Sequence, residues 1–320
     1  MRFAALLALV LVFPAAAGAD GLPVVDNQVI ANGVIAPGGQ HRFVTLQAGR
    51  NTVVARIERG SGIVDQSRVL GEPLTIPTVA YDGSGAGVSA DGSSLVLIVP
   101  RPGFPRETTT FAFLDVRTLA VKRRLTLVGD FSFDAMSPDG RWLYLIQYTS
   151  AQDPLQYRVR ALNAVTGRLD PKPIVDPREP GEAMNGLPLT RAMSPDRRWA
   201  YTLYDGTEHP FIHALDTVGR SARCIDLDWL HGRRDLWAMR FSLSDGGREL
   251  SVRSGGKTVA LVDTRTFAAS TGVEPDRDGR SPWVLFAFGL GLLLAGALGL
   301  YVVGSRRRAS STSFGGATSA

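Results

Sequence analysis

The chain has 320 residues, 44% of them apolar and 20% charged, with one cysteine and a formal net charge of +5. That length and apolar content bury a core without covalent staples, which excludes a small disulfide-built scaffold. The charge is an end effect: 35 basic residues less Arg2, Arg306, Arg307 and Arg308 leave 31 against 30 acidic ones, so the chain's body lacks the clustered basic footprint of a nucleic-acid binder.

Met1 and Arg2 precede an unbroken apolar run from Phe3 to Phe13; Pro14 breaks it, and Ala17-Gly18-Ala19 offers the small-x-small site that signal peptidase accepts. Residues 1–19 therefore read as a secretory signal, cut before Asp20. Residues 20–269 carry short strand-like runs and a phrase that recurs about every 50 residues. It reads Ser89-Ala90-Asp91-Gly92, Ser137-Pro138-Asp139-Gly140, Ser194-Pro195-Asp196 and Ser244-Asp245-Gly246, with 48, 57 and 49 residues between successive aspartates. A second echo follows each: Leu114-Asp115, Leu162-Asn163, Leu215-Asp216 and Val262-Asp263. A supersecondary unit of short strands at this period predicts an all-β propeller of four-stranded blades.

In the second unit the pattern predicts strands over 131–136, 141–148, 157–163 and 168–175. Trp142, Tyr144, Ile146 and Tyr148 share one face by the period of two, with Leu143 and Leu145 on the other. Both faces are apolar, as in a strand held between two neighbouring blades. Units over 85–127, 189–227 and 236–269 read the same way, the last of them short of a full fourth strand. A degenerate unit without the aspartate turn spans 42–79, with 42–47 as its first strand. The count is five blades, or six if residues 24–35 contribute strands, and an N-terminal strand closing the last blade would cover its open edge.

Residues 270–282 are charged and rich in Gly and Pro, a linker. Trp283 to Val303 is 21 uncharged residues, long enough as a helix to span roughly 30 Å of hydrocarbon. Arg306, Arg307 and Arg308 follow and predict a cytoplasmic C-terminus, with the N-terminal domain outside the cytoplasm and 304–320 as a short tail. Gly291, Ala295 and Gly299 form a small-residue face suited to pairing two such helices. No Leu-Pro-x-Thr-Gly signal for cell-wall attachment precedes this segment.

The runs Ser137 to Tyr144 and Val259 to Thr266 resemble the YVTN and TolB-like bacterial β-propellers, which are WD-repeat-like, over about residues 50–270. The resemblance implies a fold; that class includes binding modules, scaffolds, lactonases and cofactor-bearing enzymes, so no activity follows from it. There is no Cys-x-x-Cys-His for covalent haem and no Gly-x-Ser-x-Gly nucleophile turn, and no cofactor is expected.

Asp91, Asp139, Asp196 and Asp245 read as structural turn residues that bond nearby amides. They differ from sialidase Asp-boxes, which place a residue between Asp and Gly. His209 and His213 would be about 13 Å apart on a strand, too far to share a metal ion, and no metal site is expected. Cys224, in a strand-like run, reads as a buried inert thiol or else as half of an intermolecular disulfide. Five residues before each turn aspartate lie Ala86, Asp134, Arg191 and Arg240, on the strand that lines the central channel. Asp134, Arg191 and Arg240 are then candidate ligand-binding residues at a channel mouth, where two arginines suit an anionic group; a structural Asp–Arg pair is the alternative. The functional expectation is a membrane-anchored extracytoplasmic propeller that binds a protein, glycan or small anionic ligand as a scaffold or sensor. The alternative is an exported lactonase-like hydrolase with its site at the channel mouth.

Overall fold

The computed structural model describes residues 33–181 and 184–272. The expected signal peptide, transmembrane helix, Gly291/Ala295/Gly299 face and tail, and all of the linker after residue 272, lie outside the described residues. No helix among the described residues is long and apolar enough to cross a membrane.

The described chain is all-β, five antiparallel sheets taken in sequence order, consistent with a β-propeller. Blade 1 holds β1 (Val34–Ile35), β2 (His41–Ala48), β3 (Asn51–Glu58) and β4 (Val64–Leu70). Blade 2 holds β5 (Ser94–Ile98), β6 (Thr108–Asp115) and β7 (Val121–Val128); a bridge between Val88 and Leu95 sets residues 85–89 along its inner edge. Blade 3 is β8 (Phe131–Met136), β9 (Trp142–Tyr148), β10 (Tyr157–Asn163) and β11 (Leu169–Ile174). Blade 4 is β12 (Leu187–Met193), β13 (Trp199–Asp205), β14 (Phe211–Asp216) and β15 (Ser221–Asp226). Blade 5 is β16 (Arg240–Leu243), β17 (Glu249–Ser254), β18 (Lys257–Asp263) and β19 (Ala269–Thr271).

The two-faced apolar pattern of β9 has the expected cause. Leu143 and Leu145 pack with Val96, Ile98 and Phe111 of blade 2, whereas Tyr144, Ile146 and Tyr148 pack with Ala200, Tyr204 and Leu215 of blade 4. Similar clusters join blades 1 and 2 and blades 4 and 5. Polar links cross the same seams: the buried Tyr144 hydroxyl donates to the Thr217 carbonyl at 2.6 Å, and buried Arg101 makes a bidentate bond to Asp130 between blades 2 and 3.

Three expectations about the ends of the repeat array change. Residues 42–47 belong to the second strand of blade 1, because β1 pairs along β2 and takes the inner place. Residues 74–79 leave blade 1 and bridge to blade 2, Thr75 to Ile98 and Thr78 to Gly85. The last blade is completed by its own short β19, which pairs with β18.

Each repeated serine works alike. The hydroxyls of Ser89, Ser137, Ser194 and Ser244 accept the N–H five residues on, of Ser94, Trp142, Trp199 and Glu249. In the first three turns the serine donates to Asp91, Asp139 or Asp196, and that carboxylate also accepts the N–H two residues on. The fourth turn is out of step. Gly247 donates its N–H to the Ser244 carbonyl, as Gly92 and Gly140 do to Ser89 and Ser137, so Gly246 holds the aspartate's place. Asp245 stands one place early, where Pro138 and Pro195 stand, and makes no side-chain hydrogen bond among the described residues. It is not a structural turn aspartate. The second echo is also a turn device: Asp115, Asn163, Asp216 and Asp263 each accept the N–H groups two and three residues on.

Asp139→Ala is expected to cost about 1 kcal/mol in urea unfolding, the net worth of such a hydrogen-bonded turn. Asp245→Ala should leave stability within about 0.5 kcal/mol of wild type; equal losses would refute the register shift.

Candidate functional site

A loop of the chain crosses the channel. The loop between the two inner segments of blade 2 reaches across to blade 4, where the Tyr81 and Asp82 N–H groups donate to the Pro188 and Leu189 carbonyls. The Asp82 carboxylate accepts the Thr190 hydroxyl at 2.6 Å and both the N–H and the hydroxyl of Ser84. Tyr81 meets Trp237, ahead of blade 5, edge to face at 5.2 Å. Blades 2 and 4 are not neighbours in the ring, so these contacts cross the channel. Nothing in the local pattern of residues 80–85 beyond its glycines signals this role.

The three charged channel residues part company. A bulge in β8 falls at Asp134, between Phe133 and Ala135, and re-aims its side chain. Arg191 of β12 donates to the Asp134 carbonyl at 2.9 Å and forms a short ion pair with its carboxylate, both side chains buried. The Arg191 Nε and the second Asp134 oxygen have no hydrogen-bond partner. Arg240 is half exposed; it donates to the Trp237 and Met239 carbonyls and lies 3.9 Å from Asp82. Counted from the turn serine, the position that matches Asp134 and Arg191 in blade 5 is Phe241. The one-residue shift at Asp245 carried Arg240 into that place in the sequence reading.

A more enclosed site opens between blades 3 and 4, a cavity of about 540 Å³. Its apolar wall includes Tyr157, Ile174 and Phe211. β14 and β15 set His213 directly opposite Cys224, so the two side chains project from one sheet face into this space. Asp176, two residues past β11, brings a buried carboxylate whose oxygen, with those of Glu179 and the Cys224 sulfur, lies within 4.8 Å of its fellows. Burial would raise the Asp176 pKa, but hydrogen bonds from the Arg178 guanidinium and the Arg178 and Cys224 N–H groups outweigh it and hold the carboxyl at about 2. Arg223 adds a further contact at 3.4 Å. His213 is only 2% exposed, and neither ring nitrogen has a hydrogen bond among the described residues. Burial, helped by Arg191 and opposed by Asp134 and Asp176, pushes its pKa down to about 4. The imidazole is neutral at ordinary pH. His209 lies at the cavity wall and faces Asp226 at 3.0 Å and Asp228 at 3.6 Å.

Cys224 is half buried and lines this cavity, which corrects the reading of an inert core thiol. Asp176 and Glu179 were not singled out by the sequence; they lie in the connection between β11 and β12, and loops are where propellers carry binding residues. The pairing of His213 with Cys224 follows from strand register, which no motif reports.

No family model matches the chain, and no curated protein matches it. Solved structures similar to it include TolB from Acinetobacter baumannii, at 14% identity over 73% of this chain and 53% of that one, TM-score 0.41. The Dos1 propeller matches at 10% identity over 79% and 63%, TM-score 0.46. A Bacteroides uniformis protein described as a 6-phosphogluconolactonase matches at 14% identity over 74% and 68%, TM-score 0.43. The chain thus spans about half to two thirds of these proteins. The class rests on its own sheets: it is a β-propeller with TolB-like and WD40-type neighbours.

A histidine held at about 4 against an ordinary 6.5 favours the unfolded chain as protons bind. The stability it allows is fully present above about pH 6.5 and is lost as pH falls from there to about 4, by about 3 kcal/mol. Urea unfolding at pH 7.0 and 4.5 should show this loss, and His213→Phe should reduce it; an equal loss in the variant would remove His213 as its source.

Proposed function

We propose that the protein is an exported β-propeller, anchored in the membrane by residues 283–303, that binds a small ligand in the cavity between blades 3 and 4. The observation that carries this reading is His213, buried without a hydrogen bond at the wall of that cavity beside Cys224. The neutral imidazole offers one donor and one acceptor to a ligand group in that cavity. The volume suits a small molecule. The wall suits an amphipathic one, with an apolar body against Tyr157, Ile174 and Phe211 and a polar end at His213.

Binding is favoured over hydrolysis by two features. The loop at 80–84 crosses the channel where a lactonase-like site was expected. In the side cavity, the hydrogen bonds of Asp176 go to arginines and backbone and none to His213, so the Cys–His pair lacks the third group that orients a catalytic base. The membrane anchor rests on the apolar run and its three following arginines.

The test is thermal unfolding of the full-length chain in detergent, with and without a small-molecule extract of the source envelope. The extract should raise the Tm of wild type by several degrees, and Thr207→Trp, which fills the cavity from its rim, should abolish the rise. A rise of the same size in the variant, or none in wild type, would refute the cavity as the ligand site.

A further inference from the structure

The turn after β12 breaks the rule kept by the others. Its third place needs a left-handed backbone, and Gly92, Gly140 and Gly247 supply it with φ of +68°, +68° and +66°. The same place in blade 4 is Arg197, at φ +60°. A side chain there carries strain that glycine avoids, and such outliers are retained where surrounding structure or function requires them.

The Arg197 side chain shows no structural reason. It makes no ion pair and donates no side-chain hydrogen bond among the described residues, and burial alone lowers its pKa. Its neighbours in the fold behave otherwise. Arg101 and Arg106 meet Asp130, Arg191 meets Asp134 and Arg198 meets Asp216. A half-buried guanidinium with no counter-charge is costly, and such groups are ordinarily paired.

Arg197 lines a second cavity, of about 960 Å³, with Arg42, Arg59 and Arg191. Gly38, Gly39 and Gly83 bring backbone without side chains to the same wall. Its two carboxylates are already engaged: Asp82 by Thr190 and Ser84, Asp196 by Ser194 and the Arg198 N–H. Arg191 belongs to Asp134, and Arg59 gives one of its donors to the Gly39 carbonyl. Among the described residues the cavity is lined by four arginines and two engaged carboxylates, and the Arg197 guanidinium makes no ion pair or side-chain hydrogen bond.

We propose that this cavity is a binding site for a small oxyanion, a phosphate or carboxylate group, with Arg197 as its primary contact. The planar guanidinium offers paired donors that match both groups bidentately. Arg59, which gives one donor to the Gly39 carbonyl, adds positive charge on the same wall. The site is separate from the cavity between blades 3 and 4 and stands whether or not that cavity binds a ligand.

The experiment is titration calorimetry on the full-length chain in detergent at low salt, with inorganic phosphate and, separately, malonate as probes. Wild type should bind at least one of them, and which one it prefers assigns the anion's class. Arg197→Gly restores the residue that the turn prefers, so it should raise Tm by a few degrees while weakening binding of that probe about tenfold or more. Binding of neither probe by wild type would overturn the proposal, as would unchanged affinity in the variant. A variant that unfolds or loses Tm would make Arg197 a structural residue and overturn it equally.

Discussion

The constraint on which the rest of this molecule depends is that its middle strands are apolar on both faces. A strand such as β9, with Leu143 and Leu145 on one side and Tyr144, Ile146 and Tyr148 on the other, is not satisfied by a single packing partner. A sheet with one solvated face would leave three of these side chains in water, at about 1.5–3 kcal/mol each. Each sheet therefore needs a neighbour in front and another behind, and sheets made alike satisfy this by following one another around a centre. The apolar clusters lie between consecutive blades for this reason, and none of them belongs to one blade alone.

That arrangement decides where polar groups go. The seams are dry, so those that cross them are paired: Tyr144 with Thr217 across blades 3 and 4, Arg101 with Asp130 across blades 2 and 3. The inner edges meet at the channel, where Asp134 and Arg191 neutralise each other between adjacent blades. Asp82 is carried to Thr190 by a loop that crosses the centre. The charged inner positions Asp134 and Arg191 thus pair with each other across adjacent blades. Such a pair is worth little net stability against an apolar replacement, and its loss on one side leaves a buried charge.

Two further groups, His213 and Arg197, each line a cavity. His213 is buried and neutral, at the wall of a cavity that β11, the loop after it, β14 and β15 all line. Arg197 is charged and has no counter-ion, in a turn whose geometry favours glycine. The first cavity is enclosed and has a mixed apolar wall, the second is broad and cationic. Their chemistries differ enough that one ligand does not explain both.

The sequence by itself determined the repeat, the strand positions of blade 3 almost to the residue, the first three serine-aspartate turns and the two-faced burial of β9. These are readable because they are local: a period of two, a turn of four residues and a hydrogen bond that spans five. Tertiary structure decided everything that depends on register or on contacts between distant segments. In the fourth turn the aspartate stands one place early while Ser244 and Gly247 keep theirs, and along a strand one place is the opposite face, so counting from Asp245 exchanged Phe241 for Arg240. His213 and Cys224 are 11 residues apart and become facing neighbours only when β14 pairs with β15. Asp176 acquires its low pKa only because Arg178 and the Cys224 amide converge on it. Arg197 was present in the repeat as a missing glycine. What distinguished it was the absence of a partner, a property of the surroundings that only the folded chain shows.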